Sequence, residues 1–152
     1  MTGDTTTGPA PGRSHEHGLL LGFLLLANLG LVAMGLFLEP DERGYGTHER
    51  LGLQPCLPLK LWNVPCPGCG VTTSVTHAAH GDVVTSFLTQ PLGLMIAASA
   101  VALFLYGLWV HATGGDLWVR LHAWRWREVW MSLCGVTLLA WVYKLASVRG
   151  WM

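Results

Sequence analysis

Three long apolar runs decide what this chain can become. Leu19 to Leu38 carries no charge, Leu92 to Val110 is interrupted only by Ser99 and Tyr106, and Val129 to Val148 holds a single charge, Lys144. About 20 apolar residues cross the hydrocarbon core of a bilayer as a helix. Backbone groups in that core must be satisfied within the segment, which leaves helices or closed barrels. The expected fold is therefore an all-α integral membrane protein with three spans, near 19–38, 91–110 and 129–148. The first run is not read as a signal peptide. Its apolar core is too long, only Arg13 precedes it, and no small-x-small cleavage site follows.

Composition agrees. Of 152 residues 51% are hydrophobic and 12% charged, about half the charge fraction of a soluble domain. A formal net charge of +0 removes the electrostatic case for nucleic acid. The expected environment is the lipid bilayer, with another membrane protein as candidate partner. Eight tryptophans suit membrane–water boundaries.

The chain divides into a tail, 1–18, and one membrane domain, 19–152. The tail is rich in Thr, Gly, Pro and Ser and reads as disordered; His15 and His17 there form at most a weak metal pair. Asn28, in the middle of the first span, is expected to bond a neighbouring helix. Leu117 to Arg127 interleaves Trp118, Trp124 and Trp126 with Arg120, Arg125 and Arg127, which between spans points to an interfacial segment facing lipid phosphates. Lys144 is expected to snorkel from the end of the third span. Cys134 reads as an inert packing residue. The arginines concentrated in 117–127 favour a cytoplasmic location for that loop. The 56–90 segment is then outside, where disulfides persist.

That 56–90 segment holds three of the four cysteines. Pro67 suits the first position of a helix, so Cys66 reads as its N-cap and Cys69 as a first-turn residue. A thiol there is placed to feel the positive end of the helix dipole. The helix is expected to run to His80, with Cys69, Thr72, Thr73, Thr76 and His80 on one side, and to stop at Gly81. Asp82 suits the cap of a second short helix, and Pro91 the start of the next span.

Three chemistries compete. Cys66-Pro67-Gly68-Cys69 has the spacing of a redox dithiol, with Cys56 as resolving thiol. Cys56, Cys66 and Cys69 also supply three thiolates for a metal ion. His80 and His77 lie roughly 16 and 12 Å along a helix from Cys69, too far to complete the set, so His48 or water is left as the fourth ligand. In the third reading the cysteines fix a structural or partner-binding element without catalysis. The spans contain no carboxylate, which argues against a pump or antiporter. The third reading is preferred, with a membrane thiol–disulfide oxidoreductase and a thiolate-bound metal protein as alternatives.

The pattern Cys56, Cys66-Pro67-Gly68-Cys69-Gly70-Val71-Thr72, Gly81-Asp82 and Pro91-Leu92-Gly93 resembles a family of small bacterial membrane proteins, the domain of unknown function numbered 2752. Thr73 stands where that family usually has Arg, and Gln90 where it has Asn. The resemblance implies a multi-pass protein of the bacterial inner membrane, with Gly70, Thr72, Gly81, Asp82 and Pro91 as motif positions. It supplies no mechanism.

Overall fold

A computed structural model describes residues 14–149, so most of the expected tail, 1–13, lies outside the described residues. Every regular element among them is helical. Three long helices, α1 (His15–Phe37), α5 (Pro91–Ala112) and α7 (Trp126–Val148), are long and apolar enough to cross a membrane. Between the first two lie a 3-10 turn (Thr47–Leu51) and three short helices, α2 (Leu57–Trp62), α3 (Val71–Ala79) and α4 (Val83–Thr89). The six-residue α6 (Leu117–His122) joins the last two spans. The expected fold class and all three spans are present.

The first span begins earlier than expected. Ser14 caps α1 by accepting from the amide of His17, which places His15 to Gly18 in the helix rather than in a tail. His17 is buried. Its Nδ1 accepts the Leu117 amide at 2.9 Å, and its Nε2 meets His111 Nδ1 at 3.1 Å. An Nδ1 that accepts carries no proton, so the Nε2 of a neutral His17 is the donor toward His111. Asp116 completes this end. It caps α6 through Trp118 and accepts the Ser14 amide at 2.8 Å. Of the two residues that suggested a weak metal pair, His17 instead ties α1 to the α5–α6 corner, while His15 is exposed. Asn28 behaves as expected, donating across the bundle to the Ala100 carbonyl at 3.2 Å as well as to Leu24 within its own helix.

At the opposite end α3 is the hub, packed against α1, α4, α5 and the 3-10 turn. Thr73, Ser74, Val75 and Thr76 are all buried, so its hydroxyl side is core. Those hydroxyls are satisfied internally. Ser74 Oγ has the carbonyls of Ser86 and Gln90 both at 2.8 Å, and Ser86 Oγ donates back to the Ser74 carbonyl. Thr47 donates to Thr73 at 2.9 Å and pins the 3-10 turn to the hub. Two glycines make the approach possible. A Cβ on Gly93 of α5 would sit 2.7 Å from Ser74, and one on Gly35 of α1 would sit 2.8 Å from the Ala79 carbonyl.

Two outcomes follow from this packing. Single cysteines introduced at Asp116 on one side, and at Arg43 or Arg149 on the other, are labelled by impermeant reagent from opposite faces of oriented vesicles; labelling of 43 and 116 from the same face contradicts three spans. Gly93→Ala lowers thermal stability in micelles, by about 1–3 kcal/mol, because overpacked cores cannot shift freely. Gly135→Ala, which meets nothing within 4 Å, leaves stability unchanged or slightly raised.

Candidate functional site

The cysteine layer is built from two pieces of chain that meet beside α3. Cys56 occupies the N-cap position of α2, with Pro58 in the first turn where a missing amide proton costs little. α2 stops at Asn63, which adopts φ 53°, and Val64-Pro65 lead directly into Cys66. The Pro65 carbonyl accepts the Trp141 indole N–H from α7 at 2.9 Å. The loop closed by Cys56 and Cys66 is therefore anchored to the third span as it returns.

From Cys66 the chain makes two successive turns, not the expected first turn of a helix. The Cys69 amide bonds the Cys66 carbonyl at 2.9 Å, and the Val71 amide bonds that of Gly68 at 3.1 Å. α3 begins only at Val71 with Gly70 as its cap. The cause is Gly70 itself. Its φ of 86° takes the chain out of helical geometry, and the space a Cβ would fill is occupied by the Gly44 carbonyl at 2.7 Å and Lys144 Nζ at 3.0 Å. The cysteine at a helix cap is thus Cys56, and neither Cys66 nor Cys69 sits in a first turn.

This changes the thiol chemistry. Cys69 is 5% exposed, while Cys56 and Cys66 are half-buried. Burial, followed by the charges of Cys56 and Cys66, pushes the Cys69 thiol up to about 12. Burial and the Cys56 thiol raise Cys66 as well. For Cys56, burial opposes the thiolate, but the Leu59 amide and the Cys66 thiol outweigh it and the net direction is down. The Leu59 amide does so without closing a cap bond. No dipole activates the Cys66–Cys69 pair.

The three sulfurs of Cys56, Cys66 and Cys69 nevertheless converge, all within 4.8 Å of one another. Among the described residues no histidine or carboxylate joins this group. His48 does not complete it. His77 faces Asp82 at 3.6 Å, and His80 Nδ1 meets the Thr76 carbonyl at 2.8 Å. Cys134 lies apart, exposed on α7 rather than packed inside.

The motif positions shape the layer. Gly81 ends α3 with φ 82°, and Asp82 caps α4 through the Thr85 amide at 3.1 Å. Hydrogen bonds from Thr85 hold the Asp82 carboxyl below its ordinary value. Pro91 opens α5. The Thr72 carbonyl accepts from Thr76 one turn on. At positions 73 and 90 uncharged polar side chains act as buried fasteners. Thr73 bonds Thr47, and Gln90 donates to the Pro67 carbonyl at 3.2 Å. Gln90 Oε1 is buried and has no hydrogen-bond partner among the described residues.

One residue of the layer was not foreseen. Lys144 does not snorkel outward. It is 4% exposed, and its Nζ donates to the carbonyls of Gly44 and Thr89, each at 3.0 Å. The sequence signal was there in Gly44 and Gly70, which leave room for the ammonium, but nothing in the spacing linked residue 144 to them.

In reduced, metal-free protein Cys69 should alkylate slowest of the three. With a thiol near 12, only about one molecule in ten thousand is thiolate at pH 8, so its rate climbs as pH rises. Cys56 should react fastest. Mass mapping after timed alkylation checks the order, and equal rates at all three would contradict it.

No curated protein and no solved structure matches the chain. Residues 56–106, running from the first sulfur of the cluster through most of α5, match the family described as a protein of unknown function (DUF2752), and over that stretch the chain resembles this uncharacterised family.

Proposed function

We propose that this membrane protein binds one thiophilic divalent metal ion, of the zinc class, through Cys56, Cys66 and Cys69, and that the ion fixes the loop layer over the ends of the spans. The observation that carries this reading is the convergence of three sulfurs within 4.8 Å. Thiolates bound to one zinc at about 2.3 Å in tetrahedral geometry stand roughly 3.8 Å apart, so only a small contraction is needed. A disulfide requires about 2.05 Å, joins only two sulfurs and leaves the third without a role.

Electrostatics favour the same choice. Cys56 raises the cost of ionising Cys66 and Cys69, and Cys66 that of ionising Cys69. A divalent cation turns that repulsion into attraction, and the ligands ionise as it binds. Amides are already in place, since those of Leu59, Cys66 and Gly68 favour thiolates at Cys56, Cys69 and Cys66 respectively. Thiol–disulfide exchange has the opposite requirement. It needs an accessible, low-lying thiolate, and the Cys66–Cys69 pair is raised at both sulfurs. With three protein ligands the fourth position falls to an outside donor such as water.

The location that fits this reading is a bacterial cell membrane, with the arginine-bearing loop at α6 in the cytoplasm and the cysteine layer outside. The concentration of Arg120, Arg125 and Arg127 in one short loop supports that orientation.

Native mass spectrometry of the purified, reduced protein titrated with zinc tests the proposal. One zinc per chain is expected. Cys56→Ser, Cys66→Ser and Cys69→Ser should each weaken binding by tenfold or more, and Cys134→Ser should not. A reduced wild type that takes up no zinc would overturn it.

A further inference from the structure

Lys144 is the feature of the cysteine layer that the proposed metal site alone does not account for. An ionisable side chain in a membrane span is costly and normally has both a partner and a purpose. This one lies a turn from the end of α7, yet it is turned inward and buried. Its two hydrogen bonds go to the neutral carbonyls of Gly44 and Thr89. Among the described residues no carboxylate pairs with it; ion pairs at this end, such as Arg43 with Asp41 and Glu49 and Arg50 with Glu39, leave it out.

The geometry brings the ammonium to the cysteine turn. Nζ stands 3.0 Å from where a Cβ would project from Gly70, the residue that follows Cys69. The backbone that holds Lys144 is also the backbone that holds the turn. Thr89 gives Lys144 its carbonyl, and the next residue, Gln90, donates to the carbonyl of Pro67 between the two cysteines. Glycine at 70 leaves space that any side chain would take from the lysine.

Charge counting gives this placement a purpose. Three thiolates and a divalent ion sum to one negative charge. In a poorly hydrated layer at the membrane edge a net charge is expensive unless it is paired. One ammonium beside the cluster brings the assembly to neutrality, and a neutral donor such as water at the fourth position keeps it there.

We infer that Lys144 is the counter-charge of the three-thiolate site, a positioning residue that touches no metal but lets all three cysteines bind a divalent ion together. The inference rests on the proposed metal reading. Partners outside the coordination shell are commonly worth 10–100-fold in metal affinity, and that is the size of effect expected here.

The test is zinc affinity, measured by competition with a chromophoric chelator on full-length protein in micelles, for wild type and three variants. Lys144→Gln keeps donors for the two carbonyls and removes the charge. Lys144→Met removes both, and Lys144→Arg keeps both. The counter-charge role predicts that Gln and Met each bind zinc about 10–100-fold more weakly, while Arg stays within about threefold of wild type. A role limited to holding the two carbonyls predicts instead that Gln binds like wild type and only Met is weakened; that result overturns the inference and leaves the metal site standing. If Lys144→Gln does not fold, acetyl-lysine placed at position 144, which keeps an N–H donor and loses the charge, takes its place, and wild-type affinity there overturns the inference. A wild type that binds no zinc at all overturns the metal reading first, and this inference with it.

Discussion

The structure depends on the close approach of α3 to the ends of α1 and α5. A nine-residue helix rich in Thr and Ser is a poor candidate for a core. It becomes one because Gly35 and Gly93 remove the side chains that would hold it off. Once it is in place its hydroxyls lose water, and each unmade bond would cost about 1–3 kcal/mol. The bonds are made. Ser74 reaches the end of α4 and the start of α5, and Thr73 reaches the 3-10 turn. Steric permission and polar satisfaction are thus parts of one arrangement, since neither glycine nor hydroxyl would serve without the other.

The convergence of the sulfurs follows from that hub. Cys69 precedes α3 by two residues, so its position is set when the helix docks. Cys56 is brought back by the short α2 and the Asn63 reversal, and the Pro65 carbonyl on the indole of Trp141 fixes the return. A cluster assembled in this way is held by packing before any bond forms between its members. A metal clip across a loop already closed by packing has little further closure entropy to overcome, which makes such a layer a favourable place for metal binding.

The spans were legible because hydropathy over twenty residues is a property of the segment and needs no tertiary information. The cap at Asp82, the stop at Gly81 and the opening at Pro91 were legible for a similar reason: each depends on a few neighbouring residues. The expected cap at Cys66 used the same local rules and was wrong. Pro67 can begin a helix, but what lay against Gly70, a carbonyl from residue 44 and an ammonium from residue 144, decided that it would not. His17 and Lys144 were misplaced for the same cause. Their polar character argued for water, whereas partners about a hundred residues away, Leu117 for one and Gly44 for the other, hold them inside. The identity of the three cysteines as a group was readable from spacing; the burial that raises Cys69 was not.

The third span shows how far the cysteine layer's influence extends. α7 buries little of itself, with only Ala140 and Lys144 fully covered. Its specific attachments are side-chain bonds from its C-terminal half. Trp141 bonds the Pro65 carbonyl, Tyr143 the Leu88 carbonyl at 2.6 Å, and Lys144 those of Gly44 and Thr89. All the acceptors lie in the segments that carry or flank the cysteines. Between lipid-facing helices there is no hydrophobic drive to associate, and such bonds are worth about 0.6–2 kcal/mol each. The docking of α7 is therefore tied to the conformation of the loops between the first two spans. A change that reshapes the turn from Pro65 to Gly70 alters the acceptors that α7 grips, while α1 and α5 retain their own contact through Asn28. Coupling in this fold runs from the cysteines to the third helix, because that helix has the fewest other reasons to stay where it is.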